Sequence, residues 1–273
     1  TTVNAVSGTA TFTDLKYTGL IGDKTVSYSL ASTSITTSDT FAVVAGTAKK
    51  LWVSRDAAGA VNAAAFTVQP KVQVQDVSGN VVTSSTATIT AGVAGPTLGG
   101  TAGVAAVSGE TTFAGLKLTG TVGTYTITYT SPGLTSTSQG IDLAPGAATK
   151  VVVTTGVAGY VNRANFTTQP VAKIQDVSGN VVDTNASVTV SISTGFLTGT
   201  VSLPAVHGIA DWSTATMALG KYGTVGSKTL TFASTGLTSD TTQVFTLTHG
   251  VATQLAITQG IASGSTVNDQ AFG

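Results

Sequence analysis

Apolar and polar residues alternate along this chain with a period of two. In Tyr125-Thr-Ile127-Thr-Tyr129 the apolar side chains fall on one face and the threonines on the other. Lys228-Thr-Leu230-Thr-Phe232 and Lys24-Thr-Val26-Ser-Tyr28 carry the same pattern. Successive side chains of a strand point to opposite faces, so each segment reads as a half-buried antiparallel strand. The leading position is Tyr once and Lys twice. That predicts a rim site, where a lysine stem covers apolar surface and its amine reaches water. No stretch carries a helical stripe. Between residues 47 and 146 strands are predicted near 49–54, 65–76, 80–91, 97–107, 110–117, 124–130 and 136–143. Short strands separated by turn signals predict an all-β chain of two-sheet sandwiches with Greek-key connections.

The pattern repeats. FTVQPKVQVQDVSGNVV (Phe66 to Val82) returns as FTTQPVAKIQDVSGNVV (Phe166 to Val182), and the octapeptide from Gln75 to Val82 recurs unchanged at Gln175 to Val182. AVSGTATFTDLKYTG from Ala5 matches AVSGETTFAGLKLTG from Ala106, and AVHGIADWSTATMALG from Ala205 is a looser copy. Residues 1–46 therefore read as the C-terminal half of a repeat, 47–146 and 147–250 as complete repeats, and 251–273 as the start of another. Beginning and ending in mid-repeat, the sequence reads as a piece of a longer processed protein. Alignment of the copies predicts the core. Phe12, Phe113 and Trp212 share one slot; Phe66 and Phe166 share another, with Phe272 close to its third copy. Leu51/Val53, Val151/Val153 and Leu255/Ile257 face inward, which turns Trp52 outward. Pro70 and Pro170 belong at a strand start or bulge, where a missing N–H is harmless. In the turn Asp76-Val-Ser-Gly79-Asn80 the carboxylate can accept backbone N–H bonds, and Gly and Asn tolerate positive φ. The linkers 44–49, 144–149 and 248–253 are short, so neighbouring repeats are expected to touch.

Composition narrows the function. Apolar residues make up 41% of the 273, enough for a core in each repeat, and only 9% are charged. Twelve basic and twelve acidic residues leave no net charge, hence no long-range field to gather nucleic acid or an anionic membrane. With no Cys there is neither thiol catalysis nor a Cys-ligated metal. No apolar run is long enough to span a membrane.

Candidate chemistry is sparse. His207 and His249 lie far apart and in different elements, and no Ser-His-Asp spacing surrounds either. Glu110 has Thr and Ile as counterparts, so no carboxylate pair for glycoside chemistry repeats. No enzyme activity and no cofactor are expected. Asp76 with Asn80, and Asp176 with Asn180, are weak Ca2+ candidates: they offer oxygens near loops but no EF-hand spacing. Trp52 and Tyr160 are candidates for an interface or a ligand face. Asn165 and Asn185 head glycosylation sequons that the other repeat lacks.

Val74-Gln75-Asp76, Gly79-Asn80 and Val82, then Gly109-x-x-x-Phe113-x-x-Leu116 and Gly123-x-Tyr125-x-Ile127-x-Tyr129, together resemble the bacterial immunoglobulin-like domains that occur in tandem in invasin- and intimin-like adhesins and surface-layer proteins. Trp212-Ser-Thr-Ala departs from that pattern. The resemblance implies tandem immunoglobulin-like β-sandwiches of about seven strands per repeat. It implies a structural segment of an extracellular prokaryotic surface protein, either a surface-layer or filament subunit or an adhesin stalk. The partners would be neighbouring repeats and copies of the chain itself. The other expected class is a carbohydrate- or receptor-binding module attached to an adhesin head or an enzyme. An intramolecular Lys–Asn isopeptide bond, known in some surface domains of this kind, is disfavoured because no Asn falls on the final strand.

Overall fold

The computed structural model describes residues 1–30, 33–37, 40–215, 220–242 and 244–256. Ile257 and Phe272, two of the expected core positions, lie outside the described residues. The described chain is all-β apart from one 3-10 turn at Trp212–Thr214. It divides into two compact units, 1–148 with 175–182, and 149–174 with 183–273.

In the first unit, one sheet orders Glu110–Thr112, Lys71–Gln75 and Lys50–Arg55; a second orders Thr137–Leu143, Gly123–Thr130, Thr88–Val93 and Gly103–Ala105; and Lys117–Thr119 pairs separately with Thr97–Gly99, so the strands expected over 97–107 and 110–117 are each divided in two. All these pairings are antiparallel. The first sheet buries Leu51, Val72 and Val74, the second Ile89, Ala91, Ile127, Tyr129, Ile141 and Leu143, and Phe66, Phe113, Leu116 and Leu118 join the same core. This is an immunoglobulin-like sandwich. The strand expected over 65–76 begins only at Lys71, directly after Pro70, whose carbonyl accepts the Phe113 N–H at 3.2 Å. The strand expected over 80–91 begins at Thr88, because Asn80 is committed to the preceding turn. Residues 1–46 add two antiparallel strand pairs, Ser27–Leu30 with Thr33–Thr37 and, flanking them in sequence, Gly22–Lys24 with Phe41–Val43. Leu15, Tyr17, Leu20 and Leu30 of this half repeat are exposed.

The second unit repeats the scheme. One sheet orders Lys150–Thr155, Val171–Gln175 and Ile209–Asp211; a second orders Ser202–Pro204, Ser187–Ile192, Leu230–Ala233 and Asp240–Thr241; smaller ones order Ala164–Asn165, Gly220–Tyr222 and Phe196–Thr198, and pair Gly226–Lys228 with Phe245–Leu247. The aromatic slot is kept in every copy: Phe12 lies 5.5 Å from Tyr28, Phe113 5.4 Å from Tyr129, and Trp212 5.4 Å from Phe232. The 3-10 turn seats the larger indole, whose Nε1–H donates to the Thr200 carbonyl at 2.7 Å.

Two expectations are corrected. Lys228 is not at a rim: it is 5% exposed, and its amine donates to Thr194 Oγ1 at 2.5 Å. Leu255, expected to face inward, is 97% exposed, since no sheet among the described residues covers it.

Candidate functional site

The most elaborate polar site is built by the repeated turn. Gly79 and Gly179 both adopt φ 89°, the left-handed region a side chain would strain. Asn80 and Asn180, expected to exploit the same freedom, do not take positive φ; they use their side chains instead. Asp176 Oδ1 accepts the N–H groups of Ser178 and Asn180, both at 2.9 Å. Its Oδ2 accepts Gly146 N–H at 2.9 Å, Asn62 Nδ2 at 2.8 Å and Asn180 Nδ2 at 2.9 Å. Asn180 then spans a backbone segment, accepting Val122 N–H at 3.0 Å and donating to the Gly120 carbonyl at 2.9 Å. All these groups belong to the first compact unit, so the turn of the second sequence repeat is structurally part of that unit.

The earlier copy does the same. Asp76 accepts Ser78, Asn80 and Gly46 N–H groups, each at 2.9 Å. Asn80 accepts Ile21 N–H at 3.1 Å and donates to the Gly19 carbonyl at 2.9 Å. The identity of the octapeptide thus has a physical cause: Asp, Gly and Asn must each stay in place for the turn to grip a segment far from it in sequence. Gly146 is constrained as well, for a Cβ there would meet the Asn62 carbonyl oxygen at 2.5 Å.

The electrostatics follow. The Asn80 amide and Gly46 N–H bring the Asp76 carboxyl down to about 2 despite burial. For Asp176 burial pushes upward, but the Asn180, Gly146 and Asn62 donors win and hold it at about 2. N–H dipoles favour an anion, not an anion coordinating a cation. Asp76, Asn80, Asp176 and Asn180, the weak Ca2+ candidates, therefore spend their oxygens on N–H donors. No cluster of three or more His, Cys, Asp or Glu suited to a metal occurs among the described residues.

The remaining candidates do not converge. Trp52 is 56% exposed on Lys50–Arg55. Tyr160 is half-buried; its ring stacks on Phe245 at 5.0 Å and its hydroxyl donates to the Val157 carbonyl, so one ring face is spent internally. Asn165 and Asn185 are exposed. His207 sits at φ 49° in the turn position where Ser7 and Ser108 take φ 51°, with its Nδ1 3.0 Å from Asp183 Oδ1 on the open surface. His249 is exposed. Glu110 is occupied by Lys71 at 2.7 Å and by Gln73 at 3.2 Å.

Sequence reasoning missed Lys221. It is fully buried, its amine donates to the carbonyls of Gly159, Ala164 (3.1 Å) and Asn165 (3.2 Å), and it lies 4.3 Å from the Phe166 ring. Alignment through the shared Thr-Val-Gly (121–123 and 224–226) places it opposite Leu118, and that comparison would have exposed it.

No known protein family matches the sequence, and no curated protein does. Among solved structures, a β-glycosidase from Bacteroides vulgatus aligns over 74% of this chain and 25% of its own, at 11% identity and TM-score 0.32. The D0-D1 domain of intimin aligns over 73% of this chain and 98% of its own, at 14% identity and TM-score 0.27. Domains 5-6 of the S-layer protein SbsC align over 76% of this chain and 99% of their own, at 16% identity and TM-score 0.28. No helix is long and apolar enough to cross a membrane among the described residues.

Proposed function

We propose that this chain is a structural segment of an extracellular prokaryotic surface protein, a surface-layer or filament subunit or an adhesin stalk, extended by contacts from repeat to repeat. The observation that carries this reading is the Asp176 turn. A loop that does no more than reverse the chain has no need of a buried carboxylate held by five N–H donors, or of an Asn reaching 60 residues back to Gly120. Such a turn holds residues 175–182 of the second sequence repeat within the first compact unit, and this supports the reading. A neutral surface with few charges suits a protein packed against copies of itself.

Electron microscopy of the native material, as released from its source, tests the reading. A regular lattice, filaments or thin rods are expected; isolated compact particles that neither extend nor associate overturn it. The second reading, a glycan- or receptor-binding module, is favoured by Trp52, whose exposed ring is free to stack on a sugar. On a glycan array, binding lost in Trp52→Ala supports that reading, and an array empty at high protein concentration removes it.

A further inference from the structure

The Asp176 turn closes on four groups of the first unit: the Asn62 amide, the Gly146 N–H, the Val122 N–H and the Gly120 carbonyl. Their sequence counterparts in the second unit are Asn162, Gly250, Val225 and Gly223. The backbone hydrogen bonds around the two sets correspond, although Gly223 takes φ 159° where Gly120 has no positive φ. Asn62 N–H donates to the Ala144 carbonyl at 2.9 Å, and Asn162 N–H to Thr248 at 3.0 Å. Ala63 N–H donates to Leu118 at 2.8 Å, and Arg163 N–H to Lys221 at 3.0 Å. A Cβ on Gly146 would meet the Asn62 oxygen at 2.5 Å, and one on Gly250 the Asn162 oxygen at 2.6 Å. Asn62 Oδ1 accepts Gly120 N–H at 2.9 Å, and Asn162 Oδ1 accepts Gly223 N–H at 3.1 Å.

What fills the frame differs. In the first unit Asn180 covers the Gly120 carbonyl, which leaves Asn62 Nδ2 to donate to Asp176. In the second unit Asn162 Nδ2 folds back onto the Gly223 carbonyl at 2.7 Å. The N–H groups of Val225 and Gly250 have no hydrogen-bond acceptor among the described residues. A third frame, Gly19, Ile21 and Gly46, is filled by the Asp76 turn. Two frames of three therefore hold an Asp-Val-Ser-Gly-Asn turn, and the remaining one presents N–H donors that call for a carboxylate and an amide oxygen.

We propose that Asn162, Gly223, Val225 and Gly250 form a receptor for the Asp-x-Ser-Gly-Asn turn of a further repeat of this kind. This deepens the repeat-to-repeat reading above and rests on it. Both such turns of the present chain are already engaged, so a second copy folded in the same way has none to offer; the occupant is the turn of an additional repeat. The spacing sets the geometry: 30 residues separate Gly46 from Asp76 and Gly146 from Asp176.

The test is an extended chain in which residues 147–250 are duplicated in tandem, compared with the 273-residue chain by amide hydrogen exchange. Extension is expected to slow exchange at Gly250 and Val225 by about 100-fold, as for buried, bonded amides. Changing the duplicate's turn aspartate to Ala, or Asn162→Asp, which sets two carboxylates against each other, is expected to restore fast exchange. Fast exchange at Gly250 and Val225 in the extended chain, with Gly146 and Val122 protected, overturns this inference and leaves the repeat-to-repeat reading standing. Fast exchange at Gly146 and Val122 as well sinks both. An added repeat that stays unfolded also counts against the inference, because its sequence is the one that folds at 147–250.

Discussion

Asp176 in the first unit and Lys221 in the second are both fully buried charges, and neither has an opposite charge within ion-pair distance among the described residues. Each is solvated by the backbone instead: N–H groups and amides converge on the carboxylate, carbonyl oxygens on the ammonium. Their standing in the repeat differs. Asp176 recurs as Asp76 with the same turn and the same partners on its own octapeptide. Lys221 recurs as Leu118 in the first complete repeat and as Tyr17 in the half repeat. A buried charge that both copies of the octapeptide keep is needed by the turn it organises. One that a sister copy replaces with Leu is a burden its own unit tolerates. The first should be costly to remove and the second beneficial to remove.

The largest effect belongs to Asp176→Ala. It strands the Gly146, Ser178 and Asn180 N–H groups and the Asn62 amide, and a loss on the order of 3 kcal/mol is expected from the orphaned donors. Urea unfolding of the first unit, followed through its amide resonances, measures it. Asp76→Ala should cost less, since no amide in the role of Asn62 reaches Asp76 among the described residues. A smaller loss at Asp176 than at Asp76 would break the comparison. The same carboxyl makes the first unit acid-sensitive. Held at about 2 when folded against 3.8 when free, it binds a proton more weakly in the folded state. Its contribution is complete above about pH 4 and is lost as pH falls towards 2. Asp176→Ala should flatten that slope.

Lys221→Leu tests the other side. It installs the residue that the sister slot already buries, and replacing a buried charge by a well-packed apolar side chain is worth about 1–3 kcal/mol. Trp212, fully buried in the same unit, reports the gain by fluorescence-detected melting once Trp52 is changed to Phe. Burial lowers the Lys221 pKa from its usual 10.5, so the unfolded chain holds the proton more tightly. The second unit therefore gains stability as pH rises through the lowered value towards 10.5. The Leu variant should lose that alkaline gain. Loss of stability in Lys221→Leu would show the ammonium to be structural, and the contrast with Asp176 would fail.

How much of this was legible beforehand follows from what alternation and repetition can encode. Period-two patterning located the strands Lys50–Arg55, Gly123–Thr130 and Thr137–Leu143 but ran the others too long, and alignment of copies found the aromatic slot of Phe113 and Trp212, because both depend on residue type at fixed spacing. The turn was visible as chemistry, but the distant segments it grips were not. Its partners, Gly120, Val122, Gly146 and Asn62, are backbone groups and a lone Asn with no sequence signature. Lys228 was placed at a rim because alternation identifies a face and not its depth. Lys221 escaped because its copy of the strand is the loosest of the three, and a lysine reads as surface until it is aligned with Leu118.

The same alignment gives the smallest and most local prediction. Tyr129 stands in the slot of Phe232, and Thr111 in that of Ala210. In the first unit both hydroxyl oxygens are buried without a hydrogen-bond partner among the described residues, and burial, with the nearby Asp56 charge, drives the Tyr129 phenol far above its usual 10.0. The second unit shows that the slot works without the hydroxyl: Phe232 keeps the aromatic pair with Trp212 at 5.4 Å, as Tyr129 does with Phe113. Tyr129→Phe removes an unsatisfied polar group while leaving the ring in place, so a gain of about 1 kcal/mol is expected. Thr111→Ala gives up a methyl group along with its hydroxyl and should come out nearer zero. The two substitutions together make the first unit's core more like the second's. If Tyr129→Phe instead destabilises the unit, its hydroxyl has a partner in solution, and the difference between the two cores is one of hydration rather than of orphaned polarity.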